Sequence, residues 1–345
     1  MPSPPAPGAP PRSRWVDYAK GIGIILVVYG HVARGLVNAR LPVDTETLQT
    51  IDNVIYTFHM PLFFFLAGLF LVSSLERRGW RGLLANKVET LVYPYLLWSL
   101  LQGGMEVALS RFTNGAATLA EVGSLLWHPR TQFWFLYALF FVTLTALPFF
   151  RDRTRPHPLA LICLALMAYL GQAAIPQIWF IPMVAANLCF FALGIGFNHL
   201  QAWVARRCGL LAAISGAAFV AGQYWFTGRL GLPYTYGGLP GLAIATVSIL
   251  FVASASMFLA RWRIPLLSYV GAGSMAIYLA HVVAGSGARI VLRQGFGCTD
   301  PGVHLLVGLI AGVAAPLAAA RLAPRLGWGG LFTAPDWLTR RLAAT

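Results

Sequence analysis

The chain has 345 residues, of which 58% are hydrophobic and only 10% charged, and its mean hydropathy is +0.68. Soluble domains carry about a quarter charged residues, so the composition excludes an ordinary soluble domain and indicates an all-α polytopic membrane protein. The net charge is +14, but no basic run is interleaved with aromatic residues as a nucleic-acid surface requires. We therefore expect no nucleic-acid partner.

The hydropathy pattern predicts about ten transmembrane helices in one bundle, each near the roughly 20 residues that cross hydrocarbon. Residues 1–13 are Pro-rich and are expected to be a disordered tail, with the transmembrane domain over 14–325 and a second tail over 326–345. The first span is too long and too polar for a cleavable signal peptide. The predicted spans are 15–38, 56–75, 88–109, 132–150, 158–174, 178–198, 209–226, 239–260, 265–288 and 302–323.

The basic residues predict how the chain is oriented in the membrane. With the N-terminus inside, the inner segments carry most of the 25 Lys and Arg, and every inner loop shows the bias. Both termini are therefore expected to be cytoplasmic, and we expect a multi-pass protein of a bacterial plasma (inner) membrane.

The first span carries a polar stripe that lipid would not tolerate. Lys20 and His31 are eleven residues apart, which returns them to within about 20° of the same helical face, roughly 16 Å apart along the axis. Asp17 falls near that face, and pairing with Lys20 is its simplest role. Ionisable groups in hydrocarbon cost at least a few kcal/mol each, so the stripe is expected to face a protein interior or a wet cavity.

Two further helices bring polar residues to a similar predicted depth. His59 opens the second span, and Ser274, Tyr278 and His281 lie at i, i+4 and i+7 on one face of the ninth. Each histidine also has a structural interpretation, because a lone histidine near a helix end is often only capped or packed. The other histidines are assigned no role.

The residues on these spans suit group transfer. A histidine at mid-depth can take a proton from an acceptor hydroxyl, and Arg14 and Lys20 at the inner mouth can hold phosphates. A metal site is not expected, because the sequence has neither HExxH nor a close histidine pair. The four cysteines fit neither a zinc site nor an evident disulfide framework.

Four stretches, in order, resemble the integral-membrane acyltransferase 3 family, and the first places the chain nearest the branch similar to fucose 4-O-acetylases. In the first stretch a basic residue is separated by ten residues from a histidine, with Lys20 where many members have arginine. The stretches are DYAKGIGIILVVYGH at 17–31, FHMPLFFFLAG at 58–68, QFWFLYALF at 132–140 and YVGAGSMAIYLAH at 269–281.

The resemblance implies an O-acyltransferase that takes an acyl group, by preference acetyl, from cytoplasmic acetyl-CoA and gives it to a sugar hydroxyl outside. His31 would be the catalytic base, assisted by Tyr278 and His281. The remaining implied contacts are Arg14, Lys20, Trp134 and Phe135 to the coenzyme, and His59 and Ser274 to the substrate.

Direct transfer is favoured, with Ser274 the best candidate for an alternative acyl-enzyme. A cell-envelope or exported glycan is the first expectation for the acceptor, and a glycosylated small molecule the second.

Two other functions stay open. Intramembrane Lys, Asp and His also mark proton-coupled transporters and flippases, although no inverted pair of broken helices is evident. A non-catalytic subunit of a glycan assembly system is the third.

Overall fold

The computed structural model describes residues 13–108, 118–152, 156–335 and 337–338. These residues form α-helices with short 3-10 and π-helical turns at their joints, and no strand occurs among them. The helices are α1 Arg14–Asn38, α2 Thr45–Tyr56, α3 His59–Gly68, α4 Leu71–Lys87, α5 Tyr93–Ala108, α6 Leu119–Gly123, α7 Trp134–Ala146, α8 Pro158–Leu170, α9 Ile181–Arg206, α10 Cys208–Gln223, α11 Leu239–Leu259, α12 Pro265–Ala272, α13 Ser274–Ile290 and α14 Pro301–Leu322.

The all-α polytopic class is confirmed, with fewer full-length spans than the ten predicted. Within the described residues, seven helices are long and apolar enough to cross a bilayer, or eight if the pair Thr45–Gly68 and Leu71–Ala108, bent by 60°, counts as one span. The predicted fifth span is α8, whose 13 residues measure about 20 Å against a hydrocarbon core of about 30 Å. Which side the termini occupy stays a prediction.

The outer helices present apolar side chains where a soluble protein would be polar. Leu159 of α8 is 75% exposed, and large aliphatic residues of α10 and α14 are exposed in the same way. Contiguous apolar surface of this kind indicates lipid contact.

The first helix forms the centre of the bundle and packs on helices from the other end of the chain. Its neighbours are α3 and α11 to α14. Two arginines at and just after the end of α13 hold the C-terminal end of α1. Arg289 Nη1 donates to the carbonyl of Gly35 at 2.6 Å, and Arg293 Nη1 donates to that of Ala39 at 2.7 Å. Cationic donors are favourable at a helix C-terminus, where carbonyls lack partners.

Helices α3 and α9 cross with their backbones in contact. A Cβ atom at Gly68 would collide with the carbonyl oxygen of Phe191, and one at Gly194 with that of Phe65. Small residues that allow such close approach are typical of helix pairs in membranes. The crossing fixes α3, which carries His59 and Met60, against the rest of the bundle.

The two predicted tails differ in what the structure describes. Residues 1–12 lie outside the described residues. After α14 the chain folds back onto α5, where Trp98 Nε1 donates to the carbonyl of Leu331 at 2.7 Å and the Tyr93 hydroxyl donates to that of Gly330 at 2.8 Å. The first part of the predicted C-terminal tail is therefore packed against the bundle.

Candidate functional site

The polar residues of α1 lie against interior spaces, but Lys20 and His31 line different ones: His31 lines a separate small cavity with His281. Lys20, Ile24 and Val27 line one wall of a cavity of about 260 Å³, which lies between α1, α3, α7 and α13. His31 is one turn beyond Val27 on the same helix. We name this space the central cavity; apart from Lys20, its α1 wall is apolar.

His31 meets His281 across the interface of α1 and α13. Their ring centroids are 5.0 Å apart with the planes at 65°. His59 and Arg34 also lie close enough for electrostatic interaction with His31. The structure therefore brings together three histidines from three helices, which the sequence placed only at similar depth.

Backbone carbonyls orient two of these histidines. The Nδ1 atom of His281 lies 3.0 Å from the carbonyl oxygen of Ile277 and 2.8 Å from that of Tyr278. The Nδ1 atom of His59 lies 2.9 Å from the carbonyl oxygen of Ile55. Since a carbonyl only accepts, each Nδ1 carries the hydrogen.

The other nitrogen of each ring is left as a base. His59 is fully buried and His281 is 1% exposed, and Nε2 of each makes no hydrogen bond within the described residues. A buried acceptor without a partner is costly and is typical of a functional site.

Tyr278 and Ser274 both line the central cavity. The Tyr278 ring lies 6.3 Å from that of His281, and its hydroxyl donates to the carbonyl of Gln132. That hydrogen is committed to the backbone, and the Tyr278 oxygen lies beside the backbone N–H groups of Phe135 and Leu136 at the start of α7. This leaves Tyr278 poorly suited to stabilise an oxyanion.

A polar network behind Tyr278 was not evident from the sequence. Gln132 Nε2 donates to Gln102 Oε1 at 2.7 Å, Gln102 Nε2 donates to Glu106 Oε1 at 2.9 Å, and Arg130 pairs with Glu106 at 3.0 Å. Glu106, which sits at a depth where it could orient a histidine, is therefore engaged with other partners. The network ties α5 to the start of α7.

A larger cavity of about 880 Å³ opens at the Arg14 end of α1, and we name it the entry cavity. Lys20 and Phe70 belong to its wall and also to that of the central cavity, with Lys20 Nζ 5.8 Å from the centre of the Phe70 ring. Arg77 lines the entry cavity, whereas Arg14 is exposed and does not. Arg77 thus lines this cavity with Lys20 in place of the predicted Arg14.

Further positive charge gathers around Lys20. The ammonium of Lys87 lies near enough to Lys20 and Arg78 for their charges to interact. Such a group at a cavity mouth attracts anions and suits a phosphate-bearing ligand.

A third cavity, of about 160 Å³, lies on the other side of Met60, and we name it the aromatic cavity. Met60 lines both it and the central cavity. Trp134 faces the aromatic cavity while its neighbour Phe135 faces the central one. The two residues predicted to share the coenzyme site therefore serve different spaces.

His304 joins the histidine group although the sequence gave it no role. It lines a small cavity of about 20 Å³ with His31, His281 and Arg289. His304 Nε2 lies 3.0 Å from the carbonyl oxygen of Cys298, and its buried Nδ1 makes no hydrogen bond among the described residues. The space is enough for about one water molecule.

No group of three or more His, Cys, Asp or Glu side chains suited to hold a metal ion occurs within the described part of the chain. The absence of a metal site stays a prediction for the chain as a whole.

Two curated relatives match part of the chain. The chain is 30% identical over 133 residues to the nodulation protein NolL of Sinorhizobium fredii, covering 38% of this chain and 35% of that protein. It is 28% identical over 125 residues to the NolL of Mesorhizobium japonicum, covering 36% and 32%. The matches span about a third of the length of these curated relatives. No solved structure matches the chain.

A family model covers far more of the chain than these relatives do. The acyltransferase 3 model, described as an acyltransferase domain, matches residues 13–321, which include α1 to α13 and all but the last residue of α14. The chain belongs to the acyltransferase 3 family of integral-membrane acyltransferases.

Proposed function

We propose that this protein is an O-acyltransferase that moves an acyl group, preferably acetyl, from cytoplasmic acyl-CoA to a sugar hydroxyl outside the membrane. The observation that carries the proposal is the row of cavities. The entry cavity meets the central cavity at Lys20, and the central cavity meets the aromatic cavity at Met60. The histidine group adjoins the far end of this row.

The entry cavity offers two cations and enough space for the donor, although Asp17 and Glu76 also line it. Lys20 and Arg77 would bind its phosphates, and the volume of about 880 Å³ is in the range of ligand sites. The coenzyme, when bound, would supply the acyl group as a thioester. The Lys20 end of α1 then faces the cytoplasm, consistent with the expected position of the termini.

The central cavity suits the narrow apolar arm of such a donor. Phe63 and Phe135 line it opposite Val27, and the two phenylalanine rings lie 5.8 Å apart. These side chains would exclude water from the thioester and so limit its hydrolysis.

His31 would take the proton from the acceptor hydroxyl. The hydroxyl oxygen then forms its bond to the acyl carbon while the carbon–sulfur bond breaks, and the proton held by His31 passes to the departing sulfur. His281 would hold His31 in position across the helix interface. Ser274 lines the central cavity, and an acyl-enzyme on its hydroxyl is the alternative route.

Purified protein in nanodiscs, given labelled acetyl-CoA and glycan extracted from membranes of a deletion strain, tests the proposal. We expect labelled glycan and one coenzyme A released per transfer. His31→Ala should abolish both, while His128→Ala, a change at an exposed loop histidine, should leave them unchanged.

Transfer that persists in folded His31→Ala would remove the histidine from the mechanism. Movement of glycan across vesicles in the absence of any acyl donor would instead favour a transporter.

A further inference from the structure

Charged side chains line the entry cavity but not the aromatic cavity, as far as the described residues show. The described residues that line it include no Asp, Glu, Lys, Arg or His. Arg34 lies behind the Tyr56 ring, with its guanidinium carbon 3.7 Å from the ring centre, and is paired with Asp52 at 2.8 Å. An anionic group placed in this cavity would therefore find no counter-charge.

Rings and amides form much of its wall. Trp134, Tyr56 and Tyr169 contribute aromatic surface, which packs well against the C–H faces of a sugar ring. Asn187 and Gln172 contribute amides whose nitrogens are already used.

The two amides each leave an oxygen available. Nδ2 of Asn187 donates to the carbonyl of Met183, and Nε2 of Gln172 donates to that of Tyr169, both at 2.8 Å. The Oδ1 of Asn187 and the Oε1 of Gln172 make no hydrogen bond to the described residues. Asn187 is 7% exposed, so its oxygen is an acceptor largely shielded from solvent and suits a hydroxyl donor.

Size and position restrict the ligand further. The volume of about 160 Å³ is about eight times that of the cavity beside His304 that fits about one water molecule, which we take as room for one sugar ring. Tyr56 connects the cavity to the histidine group: its ring lies 4.2 Å from that of His59, and a Cβ at Gly30 would lie 3.1 Å from it. Gly30 precedes His31.

We propose that the aromatic cavity is the acceptor subsite, that it holds one uncharged sugar ring, and that it rejects uronic acids and other acidic sugars. Burying a carboxylate among these side chains without a cation is costly, whereas hydroxyls meet the free oxygens of Asn187 and Gln172. The inference rests on the proposed transfer to a sugar and adds the acceptor's chemical class.

Saturation-transfer NMR on protein in nanodiscs tests it with matched pairs of methyl glycosides. The probes are methyl glucoside and methyl galactoside, each beside the uronide that differs only in a carboxylate at C6. We expect at least one neutral glycoside to bind at least tenfold more tightly than its uronide. Asn187→Leu, Gln172→Leu and Trp134→Ala should each weaken that binding at least fivefold. Trp203→Ala changes an exposed residue of α9, 16 residues after Asn187, and should leave the binding unchanged.

Equal binding of a uronide and its neutral partner overturns the charge rule. Failure of the whole panel to bind, or binding that the three cavity variants leave unchanged, overturns the subsite. Acyl-CoA binding is measured on each preparation to distinguish failure of the subsite from failure of the proposed function. Protein that still binds the donor and labels the extracted glycan keeps the proposed function without this subsite. Protein that binds no donor loses both.

Discussion

The imidazole of His281 meets that of His31 nearly edge to face, with centroids 5.0 Å apart, while its own helix holds the opposite side of the ring. The carbonyls of Ile277 and Tyr278 take the Nδ1 hydrogen, so Nε2 stays a buried acceptor without a partner among the described residues. A side chain locked in this way positions its neighbour and fixes which nitrogen can receive a proton.

This geometry predicts a large effect of His281→Asn. The asparagine amide can replace the Nδ1 donor to the backbone, but it offers nothing at the position of Nε2. We expect the kcat for acyl transfer to fall by about 10²-fold or more with little change in the KM for the donor. Steady-state kinetics of the variant measures both. His157→Asn, at an exposed position, is the control, and a kcat close to that of the wild type would show that His281 only fills space.

Lys20→Gln and Arg77→Gln should weaken binding of acyl-CoA. A hydrogen bond to a charged group contributes about 1.5–3 kcal/mol, so each change should raise the KM for the donor at least about tenfold. Acetyl-pantetheine has no phosphates, and both variants should use it as well as the wild type does. Arg263→Gln, in an exposed loop, should leave both donors unaffected. An equal loss with acetyl-pantetheine would contradict a role in phosphate binding.

The crossing of α3 and α9 predicts a difference between two nearby glycines. A Cβ at Gly194 would collide with the carbonyl oxygen of Phe65, whereas nothing lies within 4 Å of one at Gly196. Gly194→Ala should therefore destabilise the protein by about 1–3 kcal/mol, and Gly196→Ala should not. Thermal unfolding in detergent compares them, and equal Tm values would mean that the helices separate without cost.

Arg289→Met removes the donor at the end of α1 while keeping much of the side-chain volume. The bond to the Gly35 carbonyl is lost, and α1 gains freedom near His31. We expect kcat to fall about tenfold, the KM for acyl-CoA to change little, and Arg289→Lys to recover part of the rate. Kinetics of the two variants side by side decides this, since a similar loss in both would show that charge alone does not hold the helix.

Much of this site follows from helical periodicity. The spacing of Lys20 and His31 predicts one inward face, because an α-helix repeats every 3.6 residues, and the structure places Lys20, Ile24 and Val27 on one cavity wall. Tyr278 and His281 are three residues apart on α13, so the same helical repeat places them on one face of that helix. Apolar composition likewise predicts the membrane class.

Other features depend on which helices meet, and periodicity does not encode that. Trp134 and Phe135 are adjacent and so point about 100° apart, and only the packing of α7 decides which cavity each one faces. Arg77, and not Arg14, lines the entry cavity with Lys20, which the spacing along α1 does not predict. His304 resembles any other histidine near a helix start until α14 packs on α13.

Most helices that pack on α1 are synthesised long after α1 itself. This helix leaves the ribosome before the other described helices, yet α11 to α14, with which it packs, and the arginines that hold its end all come from residue 239 onward. A nascent chain must therefore keep Lys20 and His31 out of lipid for most of translation without their permanent surroundings. Chains stopped before Arg289 should lack a formed site even if every earlier helix has inserted.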